Sequence, residues 1–401
     1  MIKTIVRILI ILILFPLLLA AQKRIYFVGA EPLDDNVQTL KARNFHNYTS
    51  LVYLKKQGRQ FVLKLKTFLG KKGLTQLDLA QFNTSENINY DFVMDHTNLY
   101  VVYQTPENRI YYQKYENIYV RPLPGPRQEI NRDQLKVYSL PSIYKFGKSL
   151  YILYHRESDR NKIDIVMQVS TDERVFSEPF NFTENLGYSI YPQLYLLNSN
   201  RLAMVFQARP KDTAGKIYFE IYYYHINIEG NKILLEKTLT NDIGDNFKVQ
   251  GKVFGDQVLL AWENRLNNWR IMVSVIKMNT GEIVQAPRIL TSNFFNYRSP
   301  QLTQMGEDFY LTAQRMGGRQ DRLFYYNIKG DGSVSEERDL GLDLSAGDLV
   351  SSRELMIYYI GPRGVLTRAE QDNGTSPIEL TNYFEEKNTF SSNNMRISWK
   401  P

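Results

Sequence analysis

Leu150-Tyr-Ile-Leu-Tyr154 is a run of five apolar residues entered from a turn at Gly147. Its aromatic and β-branched content and its length mark a buried strand. The same phrase returns along the chain. Upstream stand Leu51-Val-Tyr-Leu54 and Leu99-Tyr-Val-Val-Tyr103. Downstream stand Leu202-Ala-Met-Val-Phe206, Val258-Leu-Leu-Ala-Trp262, Phe309-Tyr-Leu-Thr-Ala313 and Leu355-Met-Ile-Tyr-Tyr359. Successive starts are 48, 51, 52, 56, 51 and 46 residues apart. Such a period is the signature of a repeat architecture.

Other landmarks keep step. Pro141, Pro192 and Pro300 precede their phrases by nine or ten residues, and Gly251 takes the corresponding place before Val258. Proline is tolerated at the first residue of a strand, so these positions are expected to open one. A second strand-like run follows each phrase, as in Ile163–Val169, Ile217–Tyr222, Ile271–Val275 and Leu323–Tyr326. Turns then fall at Gly230, Gly281 and Gly332, where glycine can supply positive φ. A last strand ends in Phe182-Thr183, Leu239-Thr240, Leu290-Thr291 or Leu380-Thr381.

Each period therefore supplies four short strands with turns between them and no amphipathic helix. A lone four-stranded sheet cannot bury both faces, whereas a ring of them buries every face between neighbours. The expected fold is all-β, a β-propeller of seven four-stranded antiparallel blades, with six blades plus an N-terminal strand pair as the alternative. The propeller is expected to span residues 22–385. Residues 386–401, with the alternating Met395–Trp399, read as a closing strand or the start of a further β module. Pro122, Pro124 and Pro126 mark a long outer connection.

The turn Ser170-Thr-Asp172-Glu-Arg174-Val-Phe176 resembles the Asp-box (BNR) repeat of sialidase-like propellers, Ser-any-Asp-any-Gly-any-Thr-Trp. Arg174 stands where that family has glycine, and the aromatic comes one place early. The resemblance implies a propeller fold. Activity of the sialidase kind would require three arginines on a carboxylate, an acidic proton carrier and a Tyr/Glu nucleophile pair. The family's Arg-Ile-Pro is nearest to Arg24-Ile25-Tyr26, and no acid or nucleophile is assigned here.

Lys3 and Arg7, the apolar stretch Ile8–Leu19 and Ala20-Ala21 have the layout of a secretory signal peptide, with an uncleaved anchor as the alternative for residues 1–21. The protein is expected to be exported: periplasmic, at the cell surface or secreted. Membrane contact is expected only through this segment, and only if it is uncleaved. The chain of 401 residues has no cysteine, which excludes disulfides, thiolate metal sites and cysteine nucleophiles. Beyond residue 21 there are 47 basic and 42 acidic residues, a net charge of +5. That is too weak and dispersed for nucleic-acid binding.

One series of residues suggests a site. Arg109, Arg156, Arg209, Arg265, Arg315 and Arg363, with Arg59 in the weak first copy, each follow a repeated phrase at its exit turn. If those phrases are second strands, the turns emerge on one face, and guanidinium groups suit carboxylate or sulfate recognition. The competing reading has each arginine tie its turn to an acid such as Glu157, Asp159, Glu263 or Asp321. His46, His96, His155 and His225 lack ligand spacing, and Asp34-Asp35 and Asp242/Asp245 lack a complete calcium loop, so neither a metal nor a cofactor is expected. Trp262 is expected in packing between sheets, and Trp269 flanks the Asn264–Asn268 turn. The function that fits is a non-catalytic binding module recognising a protein or acidic glycan through one face. A diverged sialidase-type glycoside hydrolase and a scaffold of the cell envelope are the alternatives.

Overall fold

The computed structural model describes residues 27–371, except 132–137, 160–161, 185, 210–217, 242–243, 293, 318–320, 330–332, 336, 344–345 and 352–354. The export segment, Gly332, Thr381 and the 386–401 segment lie outside the described residues. The described chain is all strand and turn apart from one 3-10 turn at Pro362–Gly364.

β1 (Phe27–Asp34) opens it. β2 (Val37–Phe45), β3 (Tyr48–Gln57), β4 (Gln60–Leu69) and β5 (Lys72–Phe82) form an antiparallel sheet in chain order. β6 (Tyr90–Asp95), β7 (Asn98–Gln104) and β8 (Ile110–Glu116) form the next, with the short β9 (Leu123–Pro124) and β10 (Gln128–Glu129) both pairing with β8. The three prolines singled out in the sequence thus lie in the β8–β10 connection. An eight-stranded sheet follows. Its first half is β11 (Tyr138–Phe146), β12 (Ser149–Asp159), β13 (Lys162–Ser170) and the short β14 (Phe180–Asn181). Its second half is β15 (Tyr188–Asn198), β16 (Arg201–Arg209), β17 (Glu220–Asn227) and β18 (Lys232–Thr238). The parallel pair Ile163–Tyr188 joins the halves. β19 (Asp245–Phe254), β20 (Gln257–Arg265), β21 (Trp269–Lys277) and β22 (Ile283–Ile289) form another four-stranded sheet. So do β23 (Asn296–Met305), β24 (Asp308–Met316), β25 (Arg322–Lys329) and β26 (Arg338–Asp343). The last sheet holds β27 (Ala346–Ser351), β28 (Leu355–Ile360) and β29 (Leu366–Gln371), and β1 completes it antiparallel to β29.

Each repeated apolar phrase is a second strand: β3, β7, β12, β16, β20, β24 and β28. These strands carry the most buried residues because both faces are covered. The apolar clusters form between sheets and between the two halves of the eight-stranded one. Leu153, Met167, Met204 and Phe206 pack across β12, β13 and β16, while Tyr223, Leu260 and Trp262 pack across β16–β17 and β20–β21. Tyr53, Phe68 and Tyr358 join the first sheet to the last. First strands follow the same circuit: β2, β6, β11, β15, β19, β23 and β27 each touch the next, and β27 touches β2. β29 links the chain's late part to β1, tied further by the Arg368–Glu31 ion pair; Met395–Trp399 lie outside the described residues.

The prolines do not open strands. Pro141, Pro192 and Pro300 sit inside β11, β15 and β23, each after a residue at positive φ: Leu140 (48°), Tyr191 (54°) and Ser299 (53°). The ladder skips both residues of each pair. These are bulges, where the following residue has no ladder bond to donate, so a missing N–H costs nothing. In β19 the bulge is Lys248 (φ 50°) and Val249, so Val249 is the counterpart of the prolines and Gly251 is not. Gly251 has its own reason: a Cβ there would come within 2.2 Å of the Tyr195 hydroxyl.

Those bulges are clasped from the preceding sheet or, for Tyr191, from the preceding half of the eight-stranded sheet. Leu140 N–H donates to Gln104 Oε1 (3.3 Å), and Tyr191 N–H to His155 Nε2 (3.1 Å). Lys248 N–H donates to Gln207 Oε1 (2.5 Å), and Ser299 N–H to Glu263 Oε1 (2.7 Å). Four side chains at one repeat position do one job. The threonine signature has a job too. Thr183, Thr240 and Thr291 accept the N–H groups of Ile165, Ile221 and Ile271 through Oγ1, at 2.7, 2.9 and 3.1 Å. Both devices satisfy buried backbone donors that the ladder leaves over.

Candidate functional site: an arginine and aromatic face

The ends of the second strands register with the starts of the first strands. Arg209 lies across from Tyr188, Arg265 from Asp245, and Arg315 from Tyr297. At this end a chain of rings crosses two sheets. Tyr188 meets Phe219 (5.5 Å between centroids), Phe219 meets Phe247 (5.3 Å), and Phe247 meets Trp269 (5.4 Å). Trp269 N–H donates to Asn296 Oδ1 (2.9 Å), which carries the line to Phe295.

Guanidinium groups sit on these rings. Arg209 lies 4.6 Å from the Phe219 centroid, and Arg265 and Arg298 lie 5.4 and 4.3 Å from that of Trp269. Arg315 lies 4.6 Å from Phe295 and 4.1 Å from Phe324. Arg209 and Arg265 are exposed and form no ion pair among the described residues. Arg298 has a carboxylate only at 3.6 Å, Glu263 Oε2. A ring fixes a guanidinium without cancelling its charge or occupying its N–H edge. Arg209 and Arg265 are held in place by stacking, and their donors stay available.

The rest of the arginine series is placed differently. Arg109 is bound to Glu129 of its own sheet at 2.6 Å, and Arg315 has Glu337 of its own sheet at 3.8 Å. Arg156 is inside β12 rather than in a turn, with its Nε buried and unbonded. Arg363 is exposed in the 3-10 turn with φ of 64°. Ring contacts gather Arg209 and Arg265, and Arg315 sits on its own pair of rings; among the described residues no ring contact is found for Arg109, Arg156 or Arg363. Of the proposed acids, Asp321 accepts from Gln314 (3.0 Å). Glu263 pairs with Lys248 (3.2 Å) and Arg298, both on first strands.

Arg298 and Lys248 were missed in the sequence, as were Phe219, Phe247 and Phe295. Their signal is position: Arg298 immediately precedes the Ser299-Pro300 bulge, and Lys248 is itself a bulge residue. Glu263 is fully buried, and its carboxylate already serves Ser299 N–H, Lys248 and Arg298. His155 is buried and neutral, with burial lowering its pKa to about 3. Its Nε2 is committed to Tyr191 N–H, as the glutamines are in the neighbouring sheets. Asp34 is held by Lys55 and by the Tyr53 hydroxyl (2.7 Å), and Asp245 Oδ1 accepts from Phe219 N–H (3.0 Å). Trp262 is buried between sheets, its Nε1–H donating to Asn246 Oδ1 (2.8 Å).

The Ser170–Phe176 turn is closed by its aspartate. Asp172 Oδ1 accepts from Ser170 Oγ (3.0 Å), Arg174 N–H (2.9 Å) and Val175 N–H (2.8 Å). These bonds, the one from Val175 first, lower its pKa.

No family model matches the chain, and no curated protein matches it in sequence. Solved structures do. An ulvan lyase, a polysaccharide lyase bound to a GlcA–Rha3S saccharide, superposes with a TM-score of 0.60 at 9% identity, over 86% of this chain and 95% of that one. The polysaccharide lyase Uly1 gives 0.52 at 13% identity, over 88% and 93%. The β-propeller domain of the Trilobed protease from Pyrococcus furiosus gives 0.50 at 9%, over 88% and 94%. The chain has a propeller-type fold. Identities this low carry the fold and not the chemistry.

Proposed function

We propose that this protein is an exported, non-catalytic β-propeller of seven blades that binds an acidic glycan through the face bearing Arg209, Arg265, Arg298 and Arg315. The circuit of first strands and the β1–β29 pairing support a closed ring, with the two halves of the eight-stranded sheet counted as two blades. The layout of residues 1–21 supports export. One observation carries the binding reading: two guanidiniums, Arg209 on Phe219 and Arg265 on Trp269, are exposed and form no ion pair among the described residues, and Arg298 stacks beside Arg265 on Trp269. Such donors suit carboxylate and sulfate groups. A hydrolase would need a free carboxylate beside them. Glu263, the buried one at hand, has Oε1 committed to Ser299 N–H and Lys248, and its Oε2 faces Arg298.

The test is an array of acidic and neutral polysaccharides probed with residues 22–401. Ulvan, which carries both glucuronate and sulfate, is included as a probe. Retention of acidic chains alone, weakened when Arg209, Arg265 and Arg298 become Ala with thermal melting unchanged, is the expected result. Equal retention of neutral chains, or binding that ignores these substitutions, would sink the proposal.

A further inference from the structure

The opposite end of the sheets carries a separate cavity of about 470 Å³. It opens between the β15–β18 and β19–β22 units. One wall is Leu197, Asn198, Arg201 and His225; the other is Gly255, Asp256, Met278 and Asn279. These residues belong to or adjoin the β15–β16, β19–β20 and β21–β22 turns, at the end of β16 away from Arg209. The unit seam is tight beside it: the Tyr223 hydroxyl donates to Met278 O (2.7 Å), and Met278 N–H donates to Asp256 O (2.7 Å).

Two groups in that cavity have unmet capacity. His225 lines the cavity, and its Nε2 is closed to solvent and has no hydrogen-bond partner, so a carboxylate reaches it only as the wall around it shifts. Such an orphan costs free energy unless something binds it. Arg201 is exposed and forms no ion pair among the described residues. The two are close because Arg201 pairs with Asn227 while His225 pairs with Ala203, which makes them diagonal neighbours on one face. Burial, and then the charge of Arg201, lowers the His225 pKa, so the imidazole is neutral near pH 7. A neutral imidazole and a guanidinium can donate together to one carboxylate. Asp256 and the amide of Asn279 offer partners for hydroxyl groups on the far side, and the amide of Asn198 offers another beside Arg201. Leu197 and Met278 supply apolar surface.

We propose that this cavity binds a single uronate ring, with its carboxylate on Arg201 and His225 and its hydroxyls toward Asp256 and Asn279. The volume lies within the range of small-ligand clefts, roughly 300–1,000 Å³. The site is independent of the arginine and aromatic face. It could be filled by a free acidic sugar or by the terminal residue of a chain. The two sources share their chemistry and differ at the anomeric oxygen.

The test is NMR of residues 22–401 with labelled histidine, titrated with sodium glucuronate, glucose and methyl glucuronide. Glucuronate is expected to shift the His225 ring signals saturably, with glucose leaving them in place. His155, buried elsewhere, serves as the internal reference for folding. Methyl glucuronide keeps the affinity if a chain end fits, and loses it if only the free sugar does. Arg201→Ala should weaken glucuronate at least about tenfold, as expected for the loss of a charge-assisted pair. Arg298→Ala should leave the titration unchanged, which separates this site from the other face. The proposal is overturned if His225 ignores glucuronate, if glucose moves it equally, or if Arg201→Ala binds as wild type with an unshifted His155.

Discussion

His155→Gln should remove an acid sensitivity from the fold without weakening it at neutral pH. His155 occupies the clasp position that Gln104 and Gln207 fill in neighbouring sheets, accepting one backbone N–H through Nε2. A ring nitrogen 3.1 Å from an N–H must be unprotonated, and burial holds the pKa near 3. The unfolded chain takes up that proton at about pH 6.5. Between pH 6.5 and 3 the unfolded state therefore binds more protons than the native one, and stability falls as pH falls. The linkage slope approaches 1.4 kcal/mol per pH unit, so acidifying from pH 7 to pH 5 costs wild type about 2 kcal/mol at this one residue. Glutamine keeps the acceptor and cannot titrate. Urea denaturation of both proteins at pH 7 and pH 5 reads the effect. The two should agree within about 1 kcal/mol at pH 7, with the variant ahead by about 2 kcal/mol more at pH 5. A gap that stays constant with pH would refute the reasoning, because the histidine would then titrate alike folded and unfolded.

Other outcomes follow from the same geometry. Glu263→Ala strands Ser299 N–H and leaves Lys248 and Arg298 without their acid; both cations are about one-third exposed, so water softens the loss, and we expect about 3 kcal/mol lower stability by denaturant midpoint, with Glu263→Gln losing roughly half of that. Asp91 is buried; burial alone would raise its pKa, and Lys41 (3.0 Å) and Arg43 (2.9 Å) overcome that to bring it to about 2. Its stabilisation is present above the unfolded carboxylate pKa near 4 and fades toward pH 2, so Asp91→Asn should be less stable by about 2 kcal/mol at pH 7 and indistinguishable from wild type at pH 2. Thr240→Val leaves Ile221 N–H without its acceptor and should cost about 1–3 kcal/mol in the same assay, with faster amide exchange at Ile221.

Much of the fold is legible because its repeat is written in local chemistry. Phrases such as Leu202–Phe206 are buried on both faces, so they are apolar throughout and easily aligned. The role of Pro141, Pro192 and Pro300 was less legible. Proline signals a missing ladder bond, but a bulge and a strand start both provide one. Gly251 misled for a related reason: it is required by contact with Tyr195, from a neighbouring strand that spacing does not reveal. The arginine series was visible as residues after turns, and its partners were not. A ring beneath a guanidinium belongs to another strand, as Phe219 does for Arg209, or to another sheet, as Trp269 does for Arg298. Ion pairs also formed inside sheets, as for Arg109, where the sequence suggested pairing between them.

The claim that arginines stacked on aromatic rings make the binding face is tested most directly by affinity electrophoresis. Residues 22–401 would be run through gels holding polygalacturonate or dextran, beside Trp269→Ala and Arg298→Ala. The account predicts retardation by polygalacturonate alone, reduced in both variants, since removing the ring releases Arg265 and Arg298 as surely as removing a guanidinium does. Equal mobility of wild type and both variants in polygalacturonate, with all three folded, would contradict it.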